Sequence, residues 1–529
     1  MNGVSAMIFS KGPSAGNARR GTAAFLVSLG LLTLLRVEIL AGTKRRQPDP
    51  FTEAREKIVS LVEELKVPSV SIAVVKDGAI IWEEAFGLSH FEKKVKAAPE
   101  TVYAIASATK PFTATGLMIL VERGLVDLEK PANAYLKKAK LKACEGDSSA
   151  ATVRRVLHHT SGIPMYWSFD FGPDSRRRAP LETTIERYGR LVNKPGESYN
   201  YSNLGYAVLE SIIEEVSGRP YPEFMAAEVF APLGLKHTAV VTSPLQGGEF
   251  AAKFSASLAP VPFCDHDTRG AAAIYSTAHD LALFCLLHLG RLQPDQKQIL
   301  NPASIAAMQR MRDPDVRTSS YALGWETGKR CGFSIVTHGG VMAGCRAHLA
   351  LIPSEGLAVA VLANGENART IQVCDWVFAS LLPTYARNLT AAPSGGGPAG
   401  APPDFRPPAE IVGAWDGLIK THEGTIPVRL IVESGGRVEL IRADQPAESR
   451  KGLSPLKPPV FDHGVLVIHF PQAFSLTDAP SRDHRTVLGL TVRGDRLTGE
   501  ANLIASDMSY SLPSCIELTR APSTKRWEP

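Results

Sequence analysis

Ser107 and Lys110 form the first of three short patterns whose residue types could perform nucleophilic catalysis. They bound the stretch Ser-Ala-Thr-Lys, which has the form S-x-x-K. Residues three apart on a helix face the same side, so an amine in this position can act as a base on the hydroxyl. Burial would depress the pKa of Lys110 and leave a neutral amine for that purpose. The structural alternative is a serine that only caps a helix, with the lysine exposed to solvent.

Pro111 indicates where the helix that carries this pattern begins. A proline inside a helix costs about 3 kcal/mol, but its missing N–H is not needed in the first turn. A helix that runs from Lys110 to Glu122 must therefore begin near Ser107. Free backbone N–H groups and the positive end of the helix dipole would then point at this serine and suit a developing oxyanion. A second S-x-x-K, at 454–457, lies in a proline-flanked stretch where we expect no helix.

Tyr201 and Asn203 form the second pattern, Y-x-N, which precedes a helix that we expect to begin near Leu204. Residues two apart in an extended loop point the same way. A tyrosine hydroxyl can relay protons, and an asparagine amide can hold a carbonyl group. The alternative is a polar helix start that is capped by Ser202 or Asn203.

His338, Gly339 and Gly340 form the third pattern, at the end of a predicted strand. The two glycines let the backbone approach a ligand closely. The next residue, Val341, could offer its N–H to an oxyanion. The alternative is a glycine-rich β-turn.

The elements that would position these patterns belong to a large region, about 50–390. Strand patterns lie near both of its ends, and a mostly helical stretch lies between them. The strand patterns occur at 69–75, 79–86, 333–338, 346–352 and 357–364. Asp77-Gly78 predicts a hairpin turn between the first two, and antiparallel neighbours need only short connections. We therefore predict an α/β (α+β) fold with one antiparallel sheet flanked by helices and a helical insertion.

A stretch rich in proline and glycine, at 391–408, predicts a linker, because 10 of its 18 residues are of these two types. It separates a domain at 50–388 from a small region at 409–529. The small region consists of short strand patterns with tight turns, which predicts an all-β sandwich or barrel. Arg493-Gly494-Asp495 is predicted to be a turn between two of these strands.

The N-terminal segment, 1–45, carries three early basic residues and then an apolar run from Thr22 to Leu35. A run of this length is typical of a signal peptide and short for a membrane span. We expect a signal peptide or an uncleaved membrane anchor, and hence an extracytoplasmic protein, either periplasmic or secreted. The alternative is a buried helix.

The composition describes a soluble globular protein and excludes disordered, collagen-like and multi-span membrane classes. The chain has 529 residues, of which 44% are hydrophobic and 21% charged. A net charge of +5 is small for this length, so we expect no nucleic-acid partner. The seven cysteines include no C-x-x-C pair, which predicts isolated buried thiols and no disulfide framework. No complete ligand set is evident, so we predict no metal and no cofactor, and the oligomeric state stays open.

In this order, the S-x-x-K, Y-x-N and H-G-G patterns resemble the serine β-lactamase and penicillin-binding-protein superfamily. The class C β-lactamase-like branch, which also contains esterases and D-amino-acid peptidases, is the most similar. The resemblance covers about residues 50–385, and the small region is similar to the lipocalin-like β-domains appended to some members. Further matching stretches lie at 68–74, 107–114, 159–162, 275–278 and 321–325.

The resemblance implies a role for each patterned residue. Ser107 is the nucleophile that becomes acylated, and Lys110 is its base. Tyr201 relays protons during acylation or deacylation. Asn203 holds the substrate carbonyl and orients the lysine. The N–H groups of Ser107 and Val341 form the oxyanion hole.

The third pattern departs from the family, because His338 stands where many members have the lysine of a K-T-G triplet. Lysine is a fixed cation suited to a substrate carboxylate, whereas histidine is mostly neutral near neutral pH. Esters or amides without that carboxylate therefore become more plausible substrates than β-lactams or peptidoglycan stems, although Arg346 could restore a cation.

The sequence thus predicts a serine hydrolase that forms an acyl-enzyme on Ser107 and cleaves an ester, amide or β-lactam bond of a small molecule or short peptide. The alternative is a penicillin-binding sensor that is acylated without turnover, or a structural or interaction protein on the same fold.

Overall fold

The computed structural model describes residues 49–522, apart from 145, 170–178, 245–249, 312–318, 392–404, 447–449 and 480–482. The predicted signal peptide or anchor, and most of the predicted linker, lie outside the described residues. Pro50–Pro529 cluster into one compact unit. Within the described part of the chain, no helix combines the length and apolar character that a membrane crossing requires.

The large region carries the α-helices of the described chain together with one major sheet and several short strands. The helices are α1 Thr52–Glu64, α2 Lys110–Glu122, α3 Val153–Leu157, α4 Leu181–Tyr188, α5 Asn203–Ser217, α6 Tyr221–Met225, α7 Arg269–Ala272, α8 Ala278–His288, α9 Pro302–Gln309, α10 Thr370–Leu381 and α11 Pro383–Ala391. The strands are β1 Ser69–Lys76, β2 Ala79–His90, β3 Val95–Lys96, β4 Tyr103–Ala104, β5 Lys142–Ala143, β6 Trp167–Ser168, β7 Arg190–Leu191, β8 Ala239–Val240, β9 Lys253–Phe254, β10 Pro260–Val261, β11 Ile274–Ser276, β12 Ser319–Tyr321, β13 Glu326–Arg330, β14 Phe333–Met342, β15 Cys345–Ile352 and β16 Leu357–Ala363.

Strands from both ends of the large region form one antiparallel sheet, in the order β12-β13-β14-β15-β16-β1-β2-β3. The first strand, β1, lies between β16 and β2, with Val70 opposite Ala363. The predicted sheet built from both ends of the region is confirmed. Asp77 and Gly78 have φ values of 51° and 89°, which the two-residue turn between β1 and β2 requires.

The central strands are buried on both faces because helices cover the sheet on each side. In β1, Ile72 and Val74 pack into a cluster with residues of α1 and α10. Their neighbours Ala73 and Val75 belong to a second cluster that contains residues of α2 and α8. Successive side chains of a strand point to opposite faces, so both faces of this strand are apolar. The sheet is therefore a rigid support for the strands that reach the site.

The small region is an antiparallel half-barrel, which confirms the predicted all-β fold. Its strands are β17 Gly413–Lys420, β18 Thr425–Val432, β19 Val438–Arg442, β20 Val460–Asp462, β21 Val465–Phe470, β22 His484–Arg493, β23 Arg496–Ala505 and β24 Tyr510–Arg520. They are arranged in the order β19-β18-β17-β24-β23-β22-β21-β20. The turn between β22 and β23 contains Gly494 at φ 60°, where the sequence predicts a turn.

The two regions share backbone pairing. Strand β6 of the large region pairs antiparallel with β24 of the small region, with Ser168 opposite Tyr510 and Trp167 opposite Ser511. An ion pair adds to this contact, because Arg493 donates to the carboxylate of Glu197 at 2.6 Å (Nη2 to Oε2). The strand patterns of the sequence did not include β6, which is only two residues long.

A disulfide bond joins Cys144 of the large region to Cys515 of β24, across 371 residues of sequence. The prediction that all cysteines are isolated thiols was wrong for these two, whereas the other five are free. Their partnership is decided by how the small region packs on the large one, and no spacing rule for local cysteine motifs detects such a pair.

Removal of this bond should loosen the small region. We expect the paired Cys144→Ser and Cys515→Ser substitutions to lower the free energy of unfolding by about 3 kcal/mol, because the disulfide restricts a long loop of the unfolded chain. Chemical denaturation without reductant measures the change, and Cys331→Ser, at a half-buried free thiol, is the matched control. Alkylation of the unfolded protein should modify five thiols before reduction and seven after it. Seven modified thiols before reduction would contradict the pairing.

Candidate active site

Ser107 lies on a tight helical turn directly before α2. A 3-10 turn covers Ala106–Thr109, and α2 begins at Lys110 with Pro111 in its first turn. The predicted helix start near Ser107 is therefore confirmed. The helical turn begins at Ala106, one residue before Ser107. The backbone of Ala106 has a φ of 46°, which is unusual for a residue other than glycine. Such strain persists only where the surrounding structure imposes it.

The Lys110 amine is completely buried and has three neighbouring oxygen atoms. Its Nζ lies 2.8 Å from Asn203 Oδ1, 3.2 Å from the carbonyl oxygen of Ala271 and 3.1 Å from Ser107 Oγ. A neutral amine has two N–H groups and one lone pair. The two N–H groups can donate to Asn203 and Ala271, which can only accept, and the lone pair can accept the Ser107 hydroxyl proton. An ammonium group would instead donate to all three oxygen atoms, so the contacts fit both forms of the amine and burial decides between them.

Burial favours the neutral form of this amine. Desolvation lowers the pKa of Lys110 well below its usual value, while the negative charge of Glu326 raises it in part. Glu326 is the first residue of β13, and burial raises the pKa of its own carboxyl group. The pKa of Lys110 thus depends on the charge of a carboxylate that the sequence analysis did not single out.

Tyr201 lies beside the serine and stays protonated. Burial raises the pKa of its hydroxyl far above the usual range, and a hydrogen bond with Ser107 lowers it only in part. The ring packs 4.4 Å from that of His159, and the Lys110 Nζ lies 4.7 Å from the Tyr201 ring centroid. A phenol with so high a pKa can donate and pass on a proton, but it does not reside as a phenolate near neutral pH.

The backbone that follows Tyr201 has the helix cap that the alternative interpretation of the Y-x-N pattern expected. Ser202 caps α5, because its Oγ accepts the N–H of Gly205 at 2.8 Å and its hydroxyl donates to the Pro164 carbonyl oxygen at 2.7 Å. Its own N–H donates to His159 Nδ1 at 3.0 Å. The cap therefore fixes the two flanking residues, Tyr201 and Asn203, with both side chains at the cavity.

His338 lies within a strand that continues past it. Strand β14 runs from Phe333 to Met342, so the prediction that the pattern ends a strand was wrong, and the β-turn alternative is excluded. Both ring nitrogens have partners, since Nε2 lies 2.9 Å from the Tyr321 hydroxyl and Nδ1 lies 2.8 Å from the Gly339 carbonyl oxygen. Burial lowers the pKa of His338 to about 3, so the ring is neutral near neutral pH.

Gly340 allows β14 to continue past His338. A Cβ on Gly340 would lie 2.0 Å from the carbonyl oxygen of Ile105, so only glycine lets β14 approach the turn that carries Ser107 so closely. Strand β13 pairs with β14 only as far as Thr337, which leaves this later part of β14 as an open edge. Val341, on that edge, is 66% exposed and lines the cavity.

A cavity of about 720 Å³ lies at this edge. Its size falls in the range of pockets for small ligands. It brings together nearly all the residues that the sequence patterns selected, with Lys110 behind Ser107 and Gly340 packed against the turn. The lining residues are Ser107, Met165, Trp167, Phe169, Tyr201, Asn203, Ala272, Glu326, His338, Gly339, Val341, Met342, Ala343, Arg346, Glu366, Asp507 and Met508.

Several of these lining residues were missed by the sequence analysis. Glu326 directly follows the stretch at 321–325 that resembles the family, so its place in the sequence could have marked it as a candidate. No sequence pattern marks Trp167 or Met508, because only the packing of the two regions brings them to the cavity. Arg346 does line the cavity, and its Nη1 donates to the carbonyl oxygens of Met342 and Cys345 at 3.2 and 3.0 Å.

One cluster among the described residues has the donor types of a metal site, namely His422, Glu423 and Asp478 of the small region. None of the three lines the cavity. Asp478 already accepts from the Tyr188 hydroxyl at 2.7 Å and from Arg187 at 3.1 Å. A guanidinium in contact with the carboxylate disfavours a second cation there.

Most of the large region matches a known protein family. The family model described as Beta-lactamase matches residues 54–376. Unguisins hydrolase ungD' of Aspergillus campestris (strain IBT 28561) is 31% identical over 338 residues, which are 60% of this chain and 62% of that protein. Protein flp of Staphylococcus aureus (strain MW2) is 28% identical over 305 residues, with 56% and 60% covered. The chain thus spans about six-tenths of the length of these relatives.

Solved structures share the fold over most of the chain. The octameric penicillin-binding protein homologue from Pyrococcus abyssi has a TM-score of 0.56 and 23% identity, and the match covers 88% of this chain and 99% of that one. SurE, solved with D-Leu, has a TM-score of 0.55 and 20% identity, and the match covers 89% and 99%. Identities this low show the common fold alone.

The effect of Glu326 on Lys110 gives a test with a defined sign. Only the neutral amine can take the serine proton, so labelling of Ser107 by a fluorophosphonate should rise with pH through the pKa of Lys110. Glu326→Gln removes the negative charge that raises this pKa, so the rise should move to lower pH. The measurement is the rate of labelling across a pH series.

Glu366→Gln is the matched control for this experiment. It removes another carboxylate from the same cavity, but one that accepts the N–H groups of Gly344 and Ala256, each at 3.1 Å, and does not shift the Lys110 pKa. Its profile should coincide with that of the wild type. An unchanged profile for Glu326→Gln, or a move to higher pH, would contradict the assigned coupling.

Proposed function

This chain belongs to the beta-lactamase family, and on that premise we propose that it is a serine hydrolase that cleaves ester or amide bonds through an acyl-enzyme on Ser107. The observation that carries the proposal is the contact between Ser107 Oγ and the buried Lys110 amine, whose other two neighbours can only accept hydrogen bonds. A nucleophile and a base within hydrogen-bond reach, with the base oriented by a third group, is the arrangement that acyl transfer needs.

In the proposed acylation step, the Ser107 hydroxyl gives its proton to the neutral Lys110 amine while Oγ attacks the carbonyl carbon of the substrate. The carbonyl oxygen then carries a negative charge, which the N–H groups of Ser107 and Val341 would stabilise. The close approach of β14 to the serine turn at Gly340 supports this pairing of donors. Asn203 donates its amide N–H to the substrate while its Oδ1 accepts from Lys110.

When the intermediate collapses, the bond to the leaving group breaks and that group needs a proton. Tyr201 is a suitable donor because it is protonated and hydrogen-bonded to the serine, and the protonated Lys110 then returns a proton towards it. Deacylation reverses these roles. A water molecule loses a proton to the lysine, directly or through the tyrosine, and attacks the acyl carbon, after which Ser107 leaves and recovers its proton.

Among the described residues, three carboxylate side chains, Glu326, Glu366 and Asp507, line the cavity against one cation, Arg346, and this balance favours substrates without a carboxylate next to the scissile bond. His338 is neutral and both of its nitrogens are engaged, so it cannot replace the lysine of a K-T-G triplet. Glu326 lines the same cavity as His338 and adds a negative charge to it. We therefore favour esters and amides with apolar acyl groups over β-lactams. The curated relative named as an unguisins hydrolase is compatible with a hydrolase function.

The proposal predicts that Ser107 is the residue that reacts. A fluorophosphonate should add to the wild-type protein once, and Ser107→Ala should abolish both the adduct and the hydrolysis of p-nitrophenyl esters, with a loss of at least about 10³-fold. Intact-mass spectrometry and an ester assay measure the two effects.

The second S-x-x-K supplies a matched control, because Ser454 is exposed and lies outside any helix of the described chain. Ser454→Ala should therefore react and turn over like the wild type. Hydrolysis that survives Ser107→Ala would overturn the assignment of the nucleophile. A stable adduct with ester or penicillin substrates, without release of product, would instead favour the sensor on the same fold.

A further inference from the structure

The small region contributes part of the wall of the cavity that contains Ser107. The tip of the hairpin between β23 and β24 places Asp507 and Met508 among the lining residues. Three residues of the large region, Met165, Trp167 and Phe169, line the cavity beside it. The proposed catalytic groups all belong to the large region, so the contribution of the hairpin concerns the shape and polarity of the site and not its chemistry.

Backbone contacts hold this hairpin tip at the cavity. The indole Nε1 of Trp167 donates to the carbonyl oxygen of Met508 at 2.9 Å, and the N–H of Phe169 donates to the carbonyl oxygen of Ser509 at 2.7 Å. The pairing of β6 with β24 continues these contacts by two residues. Because the tip is anchored through its main chain, the side chain at its apex can change without loss of the anchor.

Met508 occupies a backbone conformation that does not favour methionine. Its φ is 60°, in the left-handed region, where glycine, asparagine and aspartate are the usual residues. Its side chain is 49% exposed, and its Sδ lies 3.5 Å from Nη2 of Arg485. The turn itself does not require methionine at this φ, and strain of this kind occurs at binding sites as well as at ordinary turns such as that of His463.

The surroundings of Met508 indicate what it would contact. The adjacent lining residues Met165, Trp167 and Phe169, together with Met342 of β14, form an apolar wall of thioether and aromatic groups. Such groups adapt to large apolar ligands and pack well on them. We propose that Met508 completes a pocket that selects substrates with a bulky apolar acyl group, so that the small region acts as a specificity element for the Ser107 site. This inference rests on the proposed hydrolase function.

The test compares acyl chains of different length in variants of Met508. Met508→Gly and Met508→Asn both suit a positive φ, so we expect each to fold, with a thermal unfolding midpoint at or above that of the wild type. The wild type should prefer p-nitrophenyl octanoate to p-nitrophenyl acetate. Both variants should lower kcat/KM for the octanoate by about tenfold and change that for the acetate by less than about twofold. Met508→Leu, which keeps the apolar bulk, should retain the preference.

His463→Gly is the matched control. His463 also has a positive φ, of 47°, at an exposed turn of the small region, but it does not line the cavity. This substitution relieves the same kind of backbone strain and should leave the acyl preference unchanged.

The outcomes separate this inference from the function on which it rests. If a fluorophosphonate labels Ser107 but Met508→Gly and Met508→Asn keep the wild-type ratio of octanoate to acetate, the specificity role is overturned and the hydrolase proposal stands. If the wild type shows no preference for the longer chain, the specificity role is overturned as well. If Ser107 of the wild type neither reacts nor supports ester hydrolysis, the proposed function is overturned, and this inference with it.

Discussion

The arrangement of the whole site depends on one buried amine. Lys110 is 0% exposed, and in its charged form it would have to be held without water in an apolar helix start. Its neighbours do not offer a carboxylate in direct contact, but a carbonyl oxygen, an amide oxygen and a hydroxyl group. The cost of burying an ammonium group is therefore avoided when the amine is neutral, and the lone pair is directed at the serine.

This requirement explains why distant segments of the chain converge. The three oxygen neighbours come from the turn before α2, from the first residue of α5 and from the last turn of the short α7. The capping of α5 by Ser202 and the close approach of β14 through Gly340 then set Tyr201 and the open strand edge against the same serine. Each contact is small in energy, but together they hold the Lys110 amine within hydrogen-bond distance of the Ser107 hydroxyl.

The sequence was informative wherever local chemistry decides the structure. Pro111 located the start of the helix that follows Ser107, and Ser202 caps α5, as one of the two interpretations of the Y-x-N pattern expected. The end of the strand was misjudged, because β14 continues through Gly339 and Gly340, and the close approach of Gly340 to Ile105 requires glycine at that position. The disulfide, the pairing of β6 with β24 and the position of Met508 depend on how the two regions pack, and no local pattern encodes such contacts.

The most direct test of the central claim is an NMR titration of the Lys110 side chain. Protein labelled with ¹³C at lysine Cε would be titrated, and the Lys110 signal would be assigned by its absence in Lys110→Arg. We predict that this signal has the chemical shift of a neutral amine at pH values where the other lysines are still charged, and that its titration lies well below the usual 10.5. A Lys110 signal that titrates together with those of the exposed lysines would contradict the account, because the serine would then lack its base.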